Sequence, residues 1–242
     1  MSVRVVLLVG SARPTGSSTS EALGRYLLQR MQPAVAEHRI FHVSQCRRDE
    51  QLSELVSAVE EADIFLLATP LYIDSLPFLV TRAFEAIADA RTLPGEAPRL
   101  GTRFLALINC GFPEAAQTRT AQDICRIFAR QARLELAGTM GLGGGETLHG
   151  RSPESMGWLT RHLRRALDLA ADALLAGRPV PEKAVELMAR PLIPAIGYVL
   201  VANHNWRAQA RRFGTLARLD EKPFEQPHGP LNARLVPPPL SP

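Results

Sequence analysis

Gly10-Ser11-Ala12-Arg13-Pro14-Thr15-Gly16-Ser17-Ser18-Thr19 is a turn of small hydroxyl residues set between an apolar run and a helical one. Ahead of it, Val3, Val5, Val6, Leu7, Leu8 and Val9 form a nearly continuous apolar stretch, the pattern of a parallel strand buried on both faces. Behind it, Ala22, Leu23, Tyr26, Leu27 and Arg30 recur at helical spacing across Glu21 to Met31, and Ser17, Ser18 and Thr19 are positioned to cap that helix. The first amide N–H groups of a helix have no intrahelical acceptor, so they point into the turn. The helix dipole there favours an anion by only about 0.3–1 kcal/mol when exposed and about 2 kcal/mol when partly buried. The remainder must come from the hydroxyls of Ser11, Ser17, Ser18 and Thr19 and from Arg13, whose planar guanidinium meets phosphate oxygens in a two-pronged, charge-assisted way. This inventory fits a monophosphate. It does not fit a nucleoside triphosphate, because a P-loop would need glycine and lysine where Thr15 and Gly16 stand, and the dinucleotide pattern G-x-G-x-x-G is also missing. A plainer alternative is that Gly10 and Gly16 only turn the chain and the hydroxyls only cap the helix.

Two later segments repeat the plan of apolar strand followed by a special turn. Ala62 to Tyr72 ends in Thr69-Pro70-Leu71-Tyr72, and Phe104 to Glu114 ends in Cys110-Gly111-Phe112-Pro113-Glu114. Pro70 at a strand exit breaks the ladder, and a helix from roughly Pro77 to Asp89 follows Asp74 and Ser75. An ordinary strand-to-helix connection would explain Pro70 and Ser75. It explains Leu71, Tyr72 and Ile73 less well, since loops usually keep large apolar groups out of water.

The coarse order is strand 3–9, helix 18–31, strand 39–43, helix 50–61, strand 63–69, helix 77–89, strand 103–109, helix 117–132, strand 134–141 and helix 154–176. Such alternation predicts an α/β doubly wound parallel sheet, whose ligands bind beyond the carboxyl ends of the strands. All three turns then fall on one edge. Strand 39–43 is the weakest: His38, Ile40 and His42 share one face, Arg39, Phe41 and Val43 the other, as in a short edge strand with solvated histidines. A glycine-rich loop, Gly141 to Glu146, precedes His149, Gly150 and Arg151, and Ser152-Pro153 then starts the next helix.

The turns carry a resemblance. Gly10-Ser11-Ala12-Arg13 with Gly16-Ser17-Ser18 is similar to the G-S-P-R-x-x-G-N-[ST] signature of the flavodoxin-like NAD(P)H-dependent FMN reductases and their multimeric flavodoxin relatives, with Ala12 for proline and Ser17 for asparagine. The Thr69-Pro70-Leu71-Tyr72 exit resembles the family's T/S-P-x-Y loop, and Cys110 to Glu114 resembles a stretch common among members. The resemblance implies a flavodoxin-like five-stranded sheet of order 2-1-3-4-5 and an FMN whose phosphate is wrapped by Ser11, Arg13, Ser17, Ser18 and Thr19. It implies that Pro70, Leu71, Tyr72, Ile73, Cys110 and Gly111 lie by the flavin ring, with NAD(P)H as co-substrate and a small-molecule electron acceptor. It also implies that His149 and Arg151 are near a nicotinamide dinucleotide, which an ordinary flexible connection explains equally well.

Composition bounds the rest. The chain of 242 residues is 46% hydrophobic with a formal charge of +4, and Lys183 and Lys222 are its only lysines. Basic residues are scattered, so no nucleic-acid surface is expected; Arg207, Arg211 and Arg212 suit a helix end without any partner. Cys46, Cys110 and Cys125 form neither a disulfide framework nor a zinc motif, which fits a reducing cytoplasm, and Cys110 reads as a buried, inert thiol. The stretch Leu192 to Ala202 is too short to span a membrane. Residues 1–176 are expected to form the FMN-binding domain and 177–242 a helical extension with a proline-rich tail from Asp220, and the resemblance, with Leu71, Tyr72 and the late apolar helix, implies a homo-oligomer, dimer or tetramer. Three functions stay open: a two-substrate flavin oxidoreductase, a flavodoxin-type electron carrier, and a non-enzymatic scaffold of the same fold.

Overall fold

The central strand of the computed structural model, β1 (Val3–Val9), is flanked on both sides by parallel partners. The structure describes residues 3–92 and 99–222. Strands β2 (Val35–His42), β3 (Ile64–Pro70), β4 (Arg103–Asn109) and β5 (Glu135–Leu142) complete a five-stranded sheet of order β2-β1-β3-β4-β5. Every adjacent pair is parallel. The fold is the flavodoxin-like one expected from the sequence, with helices on both faces.

Side-chain alternation along β1 divides the core in two. Val5, Leu7 and Val9 pack with helix α1 (Thr19–Met31), helix α5 (Arg161–Leu175) and helix α6 (Glu182–Ala189). Val6 and Leu8 face helices α2 (Asp49–Glu61), α3 (Phe78–Thr92) and α4 (Arg119–Gln131). The two periodicities, 2 for strands and 3.6 for helices, make this sorting automatic. On the second face four aromatic rings interlock: Phe84 and Phe128 stack at 3.6 Å between centroids, and Phe104 meets Phe65 and Phe128 at 5.3 Å each.

The differences from the sequence reading have local causes. β2 begins at Val35, four residues earlier than expected, because pairing with β1 continues down to Val3. It is the edge strand, as expected, but His42 is buried rather than solvated, its Nε2 3.7 Å from Glu21. The expected helix 154–176 is interrupted: a 3-10 segment, Pro153–Thr160, contains Gly157 at φ 57°, and only then does α5 start. Ser152 caps that segment through the Glu154 N–H, with Pro153 behind it, as the Ser-Pro pair predicted.

The described residues form two packing units. The first runs through Tyr198, beyond the boundary expected at 176, because Ala184 and Met188 of α6 are fully buried in the first core and the Val180 N–H bonds to the carbonyl of Ala137 in β5. The second, from Val199, holds most of helix α7 (Ala195–Arg212), which is followed by Gly214 at φ 69°. The proline-rich tail predicted from the sequence falls mainly outside the described residues. Among the described residues no helix is long and apolar enough to cross a membrane.

Replacing Phe104 with alanine should open a cavity in the interlocked rings and cost about 3–5 kcal/mol, measurable as a lower denaturant midpoint. A loss below about 1 kcal/mol would mean the rings do not pack as described.

Candidate functional site

Val9, Pro70, Asn109 and Leu142 end their strands at one edge of the sheet, so four loops emerge side by side. The first, at residues 10–18, runs into α1. Ser18 is its N-cap, accepting the Glu21 N–H at 3.1 Å. Glu21, itself buried, sends its carboxylate back to the Gly16 N–H at 2.6 Å and pairs with Arg25 at 2.7 Å. This is a variant capping box, and its signal, Ser18-x-x-Glu21, was present in the sequence but went unread. The consequence is a rigid bend. The N–H groups of Thr19 and Ser20 have no acceptor among the described residues, and the buried Ser11 and Ser18 lie beside them.

A cavity of about 130 Å³ opens at this bend. Of the predicted residues, Ser11, Arg13, Ser18, Thr19, Pro70, Leu71, Tyr72, Cys110 and Gly111 line it. Ser17 and Ile73 do not. The Ser17 hydroxyl turns away to the Pro14 carbonyl at 2.5 Å. Ile73 projects from the rim, 98% exposed. It is forced there: Tyr72 and Ser75 exchange backbone hydrogen bonds at 2.9 and 3.1 Å, so Ile73 and Asp74 take left-handed conformations at φ 48° and 59°. A β-branched residue in that region costs about 1–3 kcal/mol, the kind of strain found at binding sites.

Three residues that sequence reasoning did not single out complete the site: Ser20, Asn109 and Glu146. Asn109 holds two loops at once, its Oδ1 accepting the Ser20 hydroxyl at 2.7 Å and its carbonyl accepting the Leu71 N–H at 2.8 Å. Glu146 faces Arg13 at 3.3 Å and His149 at 3.3 Å. The side chains of Arg13 and Glu146 are each about half exposed, and such pairs contribute about 0–1 kcal/mol. Arg13 is therefore free to exchange its carboxylate partner for a phosphate. The Arg151 guanidinium bonds to the carbonyls of Leu148 and Thr147 at 3.2 and 3.3 Å, closing its own loop.

The Cys110 thiol is buried, with pKa raised chiefly by that burial, and its Sγ lies 3.5 Å from the Phe112 carbonyl. It is a neutral packing group, in keeping with the sequence reading. A larger open groove, about 710 Å³, lies at the far end of α1 between Tyr26, Arg30 and Asp168. Arg30 and Tyr26 both meet Asp168 there, at 2.8 and 3.0 Å, and Arg164 donates to the Gly157 carbonyl at 2.9 Å while its buried Nε has no partner among the described residues.

With this geometry in place, comparison with known proteins decides the family. Residues 3–141 match the model of the NADPH-dependent FMN reductases. The chain belongs to that family. Membership selects the oxidoreductase from the three functions left open, with FMN as cofactor and NAD(P)H as reductant. No curated protein matches the chain. Among solved structures, an apo NADH:FMN oxidoreductase aligns with a TM-score of 0.52 at 18% identity, covering 80% of this chain and 97% of its own. An NAD(P)H:quinone oxidoreductase from Methanothermobacter marburgensis aligns with a TM-score of 0.50 at 16% identity, covering 75% and 100%. An azoreductase from Bacillus anthracis aligns with a TM-score of 0.50 at 13% identity, covering 72% and 99%. At these identities the structural likeness concerns the fold.

The loop after β5 closes on the first bend through Gly150. A Cβ there would lie 2.5 Å from the Ser17 carbonyl oxygen, and its φ of 74° already disfavours other residues. Gly150→Ala should therefore displace the bend, lowering stability by about 1–3 kcal/mol and weakening FMN binding in the same protein. Unchanged FMN affinity in a titration would separate this loop from the site.

Proposed function

We propose that this FMN reductase family member passes reducing equivalents from NAD(P)H through FMN to a small acceptor: a quinone, a nitro or azo compound, or free flavin. The observation that carries this reading is the cluster of unpaired donors at a cavity whose rim is apolar. The N–H groups of Thr19 and Ser20, the hydroxyls of Ser11 and Ser18 and the guanidinium of Arg13 would hold the phosphate. Their number and neutrality suit a monoester held by oriented dipoles and one cation. Glu21 opposes an anion here, yet its charge is already answered by Arg25 and the Gly16 N–H.

A cavity of about 130 Å³ falls short of the roughly 300 Å³ at which small-molecule pockets begin. It encloses one end of a mononucleotide and leaves the other to the rim. There Pro70, Leu71 and Tyr72 on one side and Cys110 and Gly111 on the other would lie by the flavin ring, with Ile73 and Phe112 exposed beyond them. An open rim suits an enzyme whose two substrates must reach one cofactor in turn. FMN itself supplies the hydride-accepting and electron-donating chemistry, so the chain needs no nucleophile or acid of its own. This agrees with the buried thiol of Cys110, whose pKa is raised chiefly by burial.

The test is an FMN titration of the purified protein, followed by NADH and NADPH oxidation with and without added quinone, nitro and azo compounds. Ser11→Glu places a carboxylate in the bend and should weaken FMN binding at least tenfold while the fold persists. Wild-type affinity in that variant would remove the phosphate from the bend. Nucleotide oxidation that no acceptor accelerates would refute the acceptor class.

A further inference from the structure

Tyr198 lies in the first turn of α7, far along the chain from the strand exits, yet its hydroxyl donates to the Gly111 carbonyl at 2.7 Å. The ring stands beside Gly144, where an added Cβ would touch it at 3.5 Å. Three successive carbonyls of the β4 exit are thereby held. The Cys110 carbonyl accepts the Gly145 N–H at 2.8 Å, the Gly111 carbonyl accepts Tyr198, and the Phe112 carbonyl accepts the Gly144 N–H at 2.6 Å. Two of these bonds come from backbone and would survive most substitutions. The middle one depends on a single side chain.

In a trans peptide the C=O and N–H point in opposite directions. Fixing the Gly111 carbonyl therefore fixes the Phe112 N–H on the side away from Tyr198. The N–H groups of Gly111 and Phe112 have no acceptor among the described residues. Glycine at 111 gives this peptide more rotational freedom than any other residue would, so the restraint has something to restrain. Burial raises the pKa of Tyr198, helped by the neighbouring Glu146 carboxylate and then by Cys110, so the phenol keeps the proton it donates.

We propose that Tyr198 is a positioning residue, whose hydroxyl locks the Gly111–Phe112 peptide so that the β4 exit presents its free N–H groups to the flavin in one fixed orientation. This rests on the reading that Cys110 and Gly111 border the FMN ring. Tyr198, at the end of the first packing unit and beyond the minimal fold, thus supports the cofactor site. An N–H donor at the ring edge favours the more negative, reduced cofactor over the oxidised one.

The experiment compares full-length wild type with Tyr198→Phe, which keeps the ring and removes only the hydroxyl. Three quantities are read: the FMN dissociation constant, the midpoint potential of bound FMN, and the melting temperature of the flavin-free protein. The expected result is a three- to tenfold weaker FMN complex and a more negative potential, with the melting temperature unchanged within about 2 °C. As a readout without flavin, the Gly111 and Phe112 amide resonances of the variant should broaden through exchange. Equal affinity, potential and amide signals in the two proteins overturn the assignment while leaving the site intact. A melting temperature and affinity that fall together with an unmoved potential also overturn it, since that is the behaviour of a merely structural tyrosine. Wild-type protein that fails to bind FMN removes the reading of the site, and the assignment with it.

Discussion

Gly145 is the residue on which the site depends. Its N–H donates to the Cys110 carbonyl at 2.8 Å and its own carbonyl accepts the Thr19 hydroxyl at 2.9 Å. One residue thus joins the exits of β4 and β5 to the start of α1. Asn109 extends the same join to β3 through Ser20 and Leu71. A parallel sheet guarantees only that the four exits share an edge. These few bonds turn the shared edge into one cavity, and each is buried or nearly so, where an unmade hydrogen bond costs about 1–3 kcal/mol.

Electrostatics at the cavity is arranged to be nearly neutral. Arg13 has Glu146 opposite it, Glu21 has Arg25, and the donors left without protein partners are uncharged N–H groups. Such a site recognises an anion by direction more than by net charge. It follows that the formal charge of +4 on the whole chain says little about the cofactor, and some of the scattered arginines serve structure. Arg91 shows this most clearly: fully buried, it bonds to the carbonyls of Ala132 and Arg99 and pairs with Glu60.

Much of this was legible in the sequence because it is local. The apolar run of β1, the hydroxyl turn, the Ser18 cap and the proline at the β3 exit are read from neighbours a few residues apart, strict alternation gives the parallel sheet, and the strand order is implied by the family resemblance that the turns carry. Glu21 was legible too, as the fourth residue of a capping box. What escaped depends on contacts across the fold. Asn109 looks like the polar end of a strand until Ser20 arrives 89 residues away in sequence. Glu146 gains meaning only opposite Arg13, and Tyr198 only beside Gly111. The burial of His42 likewise depends on Glu21 being placed beneath it, and the break at Gly157 on a backbone angle that composition does not reveal.

The central claim is that the bend before α1 holds the FMN phosphate on its unpaired amides. A crystal structure of the protein grown with FMN tests it most directly. The account predicts the phosphate within hydrogen-bonding distance of the Thr19 and Ser20 N–H groups and the Ser11 hydroxyl, with Glu21 still on the Gly16 N–H. A phosphate bound elsewhere, or a bend whose amides are taken up by Glu146 or another protein group while FMN is bound, would contradict it.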